Sequence, residues 1–300
     1  MGSKVAVDSA PSRSVEETIA RFQAIREIER ALPLSDAGGS LLMQHGRRTA
    51  ECHVLLHGLT NCPRQFRHLG EQLFARGASV VIPRMAHHGF RDLMTSAQGN
   101  LTAAELLRQA NQGVDLACGL GERVIVSGLS VAGVSAGWIA MHRPDVDGVV
   151  MLAPFFGIRG ISRRIGGMLG GVLRAVPNGY LWWDGRKKEK FDRPAHCYPR
   201  FGTHAIGEVL GLASRVWCDA ARLPLRTRRL VMVLSESDRA INNAVAASLF
   251  KMWKMRNSGT SMDLRIFSRS EHISHDFIDP GQPGQRMDFV YPRLLAWMQE

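Results

Sequence analysis

The sequence predicts an α/β protein built on a mostly parallel, doubly wound sheet, with a helical segment inserted between two of its strands. Three observations carry this. Apolar runs of strand length alternate with stretches of helical period along most of the chain, the pattern of a parallel sheet with helices on both faces. Several runs are continuous Val, Ile and Leu, as strands covered on both faces require. Between Phe155 and about Arg228 the rhythm stops, and helix-compatible sequence continues without a convincing core strand.

The elements follow in order. Ser14-Val15-Glu16-Glu17 reads as a capping box, with Ser14 covering free amides and Glu17 reaching back. Val15, Ile19, Phe22 and then Ile25 or Ile28 recur at helical spacing, which predicts an amphipathic helix packed on the outside of the main domain. Gly38-Gly39 closes this region, so residues 1–40 read as an N-terminal helical extension. Strands are expected at Cys52–His57, Ser79–Pro83, Arg123–Ser127, Gly148–Leu152, Leu230–Ser235 and Leu264–Phe267. Helices are expected at Pro63–Arg76, Thr102–Leu116, Val131–His142, Ala244–Arg256 and Arg286–Gln299. Residues 41–154 and 229–300 therefore form the core. The insertion, 155–228, holds a helical stretch at Ile161–Val176, the aromatic group Tyr180-Leu181-Trp182-Trp183 and the basic run Arg186-Lys187-Lys188-Glu189-Lys190. Its position predicts a cap over the C-terminal edge of the sheet, where open α/β sheets bind ligands.

Composition narrows the function classes. The chain is 45% hydrophobic and 22% charged, ordinary values for a globular protein. No apolar run reaches the roughly 18–20 residues that cross a bilayer, and Met1–Asp8 lacks the apolar core of a signal peptide; the expectation is a cytoplasmic protein. Five cysteines without a CxxC pair argue against a disulfide framework or a zinc knuckle. A net charge of +11 raises the question of nucleic acid. Ten Arg or Lys against three Asp or Glu lie between Phe156 and Phe201. No helix-turn-helix spacing or RNP-like aromatic set accompanies them, so no nucleic-acid partner is expected. A solvated loop is the plain reading of the basic run, and weak attraction to anionic lipid surfaces or acidic substrates the alternative.

Four segments carry chemistry. Arg123–Leu129 runs into Ser130-Val131-Ala132-Gly133 and a helix rich in small residues. Strand, Gly128-x-Ser130, helix is what a nucleophile elbow needs: a serine on a strained turn, its hydroxyl projecting, with small neighbours letting strand and helix approach. Leu55-Leu56-His57-Gly58-Leu59-Thr60-Asn61 ends an early buried strand. Val231–Ser235 leads into Glu236-Ser237-Asp238-Arg239-Ala240-Ile241-Asn242, and Ser270-Glu271-His272-Ile273-Ser274-His275-Asp276-Phe277-Ile278-Asp279 follows the last core strand.

Together these segments resemble the α/β-hydrolases, and most of all the bacterial carboxylesterase and monoacylglycerol-lipase group, whose elbow commonly reads G-L-S-x-G-G. The sequence departs from that pattern at Ala132, where a tight but feasible turn is expected. The resemblance covers Cys52 to the C-terminus except the insertion. It implies a serine hydrolase with Ser130, Asp238 and His275 as its triad, a small-molecule ester as substrate, and no cofactor or metal. The oxyanion donors it implies are the amides of Leu59 and Val131, and His57 becomes a loop-shaping residue. Glu236 competes with Asp238 as the acid and His272 with His275 as the base; motif position favours Asp238 and His275. Tyr180, Trp182 and Trp183 are candidates for an apolar acyl-binding wall, or else form the cap's interior. His87-His88-Gly89 borders the pocket in a loop role rather than a metal site. A thioesterase, amidase or acyltransferase using the same triad is the nearest alternative. A non-catalytic ligand or lipid-surface binder is the alternative from another class; loss of a triad member would favour it, and none is missing.

Overall fold

The computed structural model describes residues 10–185 and 193–299, so the basic run at 186–190 and the first nine residues lie outside the described part. Helix α1 (Val15–Arg30) opens it, with the Ser14 side chain accepting from the Glu17 amide. The Glu17 carboxylate reaches one residue further back than a capping box has it, to the Arg13 amide. Of the two candidates for the helix's inner face, Ile25 packs against the core, whereas Ile28 is 68% exposed.

The sheet contains β1 (Leu41–Met43), β2 (Thr49–Leu56), β3 (Ser79–Ile82), β4 (Gly121–Leu129), β5 (Gly148–Leu152), β8 (Arg229–Ser235) and β9 (Ser261–Phe267). Their spatial order is β1-β3-β2-β4-β5-β8-β9. Only β1 runs antiparallel. Three residues at an edge are too few for a periodic signal, which is why β1 is not read from sequence. The central strands are buried almost throughout, Val54 and Leu55, Val126, Val149–Leu152 and Leu230–Leu234 among them; each such side chain contributes about 1.5–3 kcal/mol. Helices α2 (Arg64–Phe74), α3 (Ala103–Cys118), α4 (Val131–His142), α7 (Asn243–Arg256) and α8 (Met287–Gln299) flank the sheet. Beyond the C-terminus of α4, Arg143 is buried and donates to Asp115 at 2.7 Å, Asp145 at 2.5 Å and Asn111 at 3.0 Å. This fixes the far end of the helix that starts at Ser130.

Between β5 and β8 the chain forms α5 (Arg163–Ala175), a hairpin of β6 (Tyr180–Trp182) and β7 (Arg200–Gly202), and α6 (Thr203–Ala220). The hairpin is a separate two-stranded sheet, so no strand of the insertion joins the main one. Helix α6 packs on α4, α3 and α5 through a long buried face including Ile206, Val209, Leu210 and Val216. It closes the βαβ crossover that β5 and β8, as parallel neighbours, require. Helix α5 crosses α6 closely: a methyl on Gly170 would meet Leu210 Cβ at 2.9 Å and the Gly207 carbonyl at 3.1 Å.

Candidate active site

Four parallel strands end at one edge of the sheet, and the loops leaving them converge. Ser130 follows β4 directly, with φ 58° and ψ −116°. This is strained backbone for a residue with a Cβ, at a cost of about 1–3 kcal/mol. Its amide donates to the Leu152 carbonyl at 2.9 Å, and its carbonyl accepts from the Phe155 amide at 3.0 Å, so the end of β5 holds the turn. Small neighbours are a steric necessity here. A methyl on Gly128 would stand 2.4 Å from the Ala132 carbonyl oxygen, and one on Gly133 would stand 2.8 Å from Pro154 Cβ. Ala132 itself fits, buried to 1% exposure.

His275 Nε2 lies 3.0 Å from Ser130 Oγ, and His275 Nδ1 lies 2.6 Å from Asp238 Oδ2. A carboxylate only accepts, so Nδ1–H donates to it and Nε2 is left to accept the serine proton. Asp238 is fixed through its other oxygen, which accepts from the Ala240 amide at 2.7 Å. Its side chain is fully buried, while that of His275 stays 21% exposed toward the cavity. Glu236, the competing acid, accepts instead from the Arg269 amide at 2.9 Å. His272 lines the same cavity from a left-handed turn (φ 55°) and makes no hydrogen bond to Ser130.

The loop after β2 passes directly beside the serine: a methyl on Gly58 would sit 3.7 Å from Ser130 Cβ. Leu59 and Val131 both line the cavity at this point. Val131 begins α4, where amides have no intrahelical partner; among the described residues neither its N–H nor that of Leu59 donates to another group. Two buried histidines hold the loop. His57 Nδ1–H donates to the Gly58 carbonyl at 3.0 Å, and its Nε2 accepts from the Met85 amide at 2.9 Å. His88 Nδ1–H donates to the Ala86 carbonyl at 2.8 Å, and its Nε2 accepts from the Thr60 amide at 3.3 Å. Burial pushes the His57 pKa down to about 3, with His88 adding to the shift, and burial pushes His88 down to about 4. Both therefore act as neutral clamps, in the loop roles that the sequence suggests.

Gln65 has no signal in the sequence that marks it as part of a site, and Asp276, beside His275, has none for the contact it makes. Gln65 Oε1 accepts from the Gly58 amide and its Nε2 donates to Asp276 Oδ2, each at 2.8 Å. Asp276 also accepts from Gln282 at 2.8 Å. One glutamine thus joins the Gly58-Leu59 loop to the loop that carries His275. Burial, together with nearby Asp279, raises the Asp276 carboxyl above the usual carboxylate range.

Over these residues lies a cavity of about 1220 Å³ lined by the triad-like set and by the segment after β5. Trp183 and Leu181 form part of its wall, with Leu169 and Leu173 of α5, Phe201 and Ile206. Trp183 also donates from Nε1 to Thr60 Oγ1 at 2.9 Å, and the Tyr198 amide donates to the Thr60 carbonyl at 2.8 Å. Tyr180 and Trp182 are not among the lining residues. Side chains alternate along a strand, so once Leu181 and Trp183 face the cavity, Tyr180 and Trp182 face the other way. Tyr180 there donates to the Ser96 carbonyl at 2.7 Å and lies under the Arg200 guanidinium. Cys62 is buried, its thiol pushed up to about 12 by that burial and directed to the Ala37 carbonyl, which suits a packing residue and not a nucleophile. His87 Nε2 pairs with Glu105 at 3.2 Å, away from the cavity lining.

The model of the alpha/beta hydrolase family matches residues 54–280. A thermostable monoacylglycerol lipase from Bacillus sp. (strain H-257) is 28% identical over 120 residues, which is 39% of this chain and 45% of that enzyme. The match thus spans less than half of that relative. Among solved structures, one from a study of LipS and LipT, two metagenome-derived lipolytic enzymes, superposes with a TM-score of 0.65 at 16% identity, covering 89% of this chain and 99% of the other. The monoacylglycerol lipase of Paleococcus ferrophilus superposes with the same TM-score and identity, covering 86% and 97%. At these identities the structural likeness is one of fold. Among the described residues, no helix is long and apolar enough to cross a membrane.

Proposed function

The chain belongs to the alpha/beta hydrolase family, and from that premise we propose that it hydrolyses carboxylic esters through an acyl-enzyme on Ser130. The observation that carries this reading is the hydrogen-bonded line from Asp238 through His275 to Ser130 Oγ, at 2.6 and 3.0 Å. Ser130 Oγ attacks the ester carbonyl while its proton passes to His275 Nε2. Asp238 stabilises the imidazolium and keeps its ring oriented. Negative charge on the carbonyl oxygen is met by the Leu59 and Val131 amides, a contribution of about 3 kcal/mol each in comparable sites. His275 then protonates the departing alcohol. In the second half it takes a proton from water, which attacks the acyl carbon and frees Ser130.

The apolar wall formed by Leu169, Leu173, Leu181, Trp183 and Phe201 suits a short- to medium-chain acyl group or a monoacylglycerol-like ester. The monoacylglycerol lipases among the similar proteins support the same class. The segment 155–228 is accordingly the substrate-selecting cap. All five cysteines are unpaired, in keeping with a reducing, cytoplasmic setting.

The test is a fluorophosphonate probe together with p-nitrophenyl esters of increasing chain length. Single labelling that disappears in Ser130→Ala, with ester turnover lost in parallel, is expected. Labelling that survives the substitution overturns the assignment.

A second reading concerns where the substrate is met. Ile165, Met168 and Val172 of α5 are more than half exposed and recur at i, i+3 and i+7, beside Arg163 and Arg164. An outward apolar row flanked by arginines fits weak docking on an anionic lipid surface. The chain should sediment with phosphatidylglycerol vesicles more than with phosphatidylcholine vesicles, and Met168→Asp should abolish the difference. Equal sedimentation with both removes this reading and leaves the ester chemistry untouched.

A further inference from the structure

Beside the cavity, three metal-ligating side chains meet from two distant segments. His196 Nε2, Cys197 Sγ and a carboxylate oxygen of Asp279 all lie within 4.8 Å of one another. None is a surface group: Cys197 is 2% exposed, and the His196 and Asp279 side chains are 14% and 4% exposed. Each is already oriented. Asp279 Oδ1 accepts from the Gly281 amide at 2.9 Å, and its Oδ2 lies 2.7 Å from His196 Nε2. Gln282 Nε2 stands 3.6 Å from Cys197 Sγ.

Charge points the same way. Asp279 is buried at 3% exposure, and its amide donates to Asp276 Oδ1 at 3.4 Å, so a second carboxylate stands against the cluster. A buried anionic cluster is stabilised by a cation placed among its members. Access is available as well, since Cys197, Asp276 and Gln282 all line the cavity.

We propose that His196, Cys197 and Asp279 form a binding site for a thiophilic divalent cation of the Zn²⁺ class, separate from the ester-cleaving residues. One thiolate, one imidazole and one carboxylate form a donor set of the borderline kind that zinc takes, with three protein ligands and a fourth position open to cavity water. On binding, the Sγ–H bond gives way to an Sγ–metal bond and the thiol proton leaves to water. His196 and Asp279 exchange their mutual hydrogen bond for bonds to the ion. The ion ties the turn that precedes β7 to the loop beyond His275, across 83 positions of sequence.

The site is tested on the full chain after chelator treatment, by titration with CoCl₂ and then ZnCl₂. One Co²⁺ per chain should bind, with a thiolate-to-cobalt absorption in the near ultraviolet that Zn²⁺ abolishes. Cys197→Ser should remove that absorption, whereas Cys218→Ser, at an exposed thiol elsewhere, should retain it. His196→Ala and Asp279→Asn should weaken Zn²⁺ binding by more than the roughly 10–100-fold that loss of an outer-shell partner costs. Absence of the band in the wild-type chain overturns the proposal, whatever the variants do. Its persistence in Cys197→Ser, or unchanged affinity in His196→Ala and Asp279→Asn, does the same.

Discussion

At the sheet edge, Ser130, Asp238 and His275 sit in loops whose polar groups are tied from several sides, whereas above them α5 turns three large apolar side chains to solvent. The two regions face one cavity and are held by different forces. The floor is fixed by directional bonds on strands that cannot shift register without exposing their buried residues. In the roof, α5 rests on a close helix crossing at Gly170 and on apolar contacts, which tolerate rearrangement better than a hydrogen-bonded loop does. In the proposed reading bond-breaking belongs to the floor and selection to the roof, and each part of it has a measurement that breaks it.

The largest effect belongs to the floor. Ser130→Ala or His275→Ala should lower kcat by on the order of 10⁴–10⁶, and His272→Ala far less. If His272→Ala is the damaging variant, the base is misassigned and the floor is not the rigid arrangement described.

Next comes the pH dependence of the two histidine clamps. In the unfolded chain each imidazole titrates near about 6.5, but in the fold they stay neutral down to about 3 and about 4. Between those values the unfolded state holds the extra protons, so stability is intact above about pH 6.5 and falls as the pH drops below it. At pH 5 this amounts to at most about 2 kcal/mol per histidine, from 1.36 kcal/mol per pH unit. Urea denaturation at pH 8 and pH 5 should show the loss, and His88→Gln should shrink it. An unchanged pH difference in that variant means His88 is not the buried neutral group.

Gln65→Leu sharpens the comparison inside the floor. It leaves the Gly58 amide without its partner and removes one of the donors to Asp276. A loss of about 1–3 kcal/mol of stability is expected for a buried polar group left unpaired, and kcat should fall because the Leu59 amide is no longer held. Loss of stability with kcat intact would confine Gln65 to a structural part.

The remaining effect belongs to the roof. Burial is worth about 0.8 kcal/mol per methylene, so Trp183→Ala should shift the ratio of rates on short and long acyl esters by roughly tenfold to a hundredfold. Trp182→Ala, on the opposite face of the hairpin, should leave that ratio alone. An equal shift from both tryptophans would mean that the hairpin acts as a whole and not through the cavity wall.

The same division separates what the sequence reveals from what it hides. Buried strands and the elbow are legible because their signals are local: Arg123–Leu129 is a continuous run, and Ser130 must lie between small residues. The pairing of Asp238 with His275 is legible only through motif resemblance, since they stand 37 positions apart. The orientation of Trp183 depends on the phase of a three-residue strand, which an aromatic cluster does not declare. Asp276 and Asp279 lie in the segment already singled out around His275, but Gln65, His196 and Cys197 join them by chain topology alone. Nothing in the immediate neighbours of those three marks them.

The hydrogen bond from Trp183 to Thr60 gives the roof a hold on the floor. Leu59 is flanked by Gly58 and Thr60, and Thr60 is gripped by the indole and by the Tyr198 amide, both from the inserted segment. The insertion is therefore not a detachable module. A chimaera that exchanges it for the corresponding segment of another hydrolase inherits a new cavity wall and loses two anchors of the loop through Gly58, Leu59 and Thr60. Such a graft works only if it brings an equivalent donor to the Thr60 hydroxyl and another to its carbonyl.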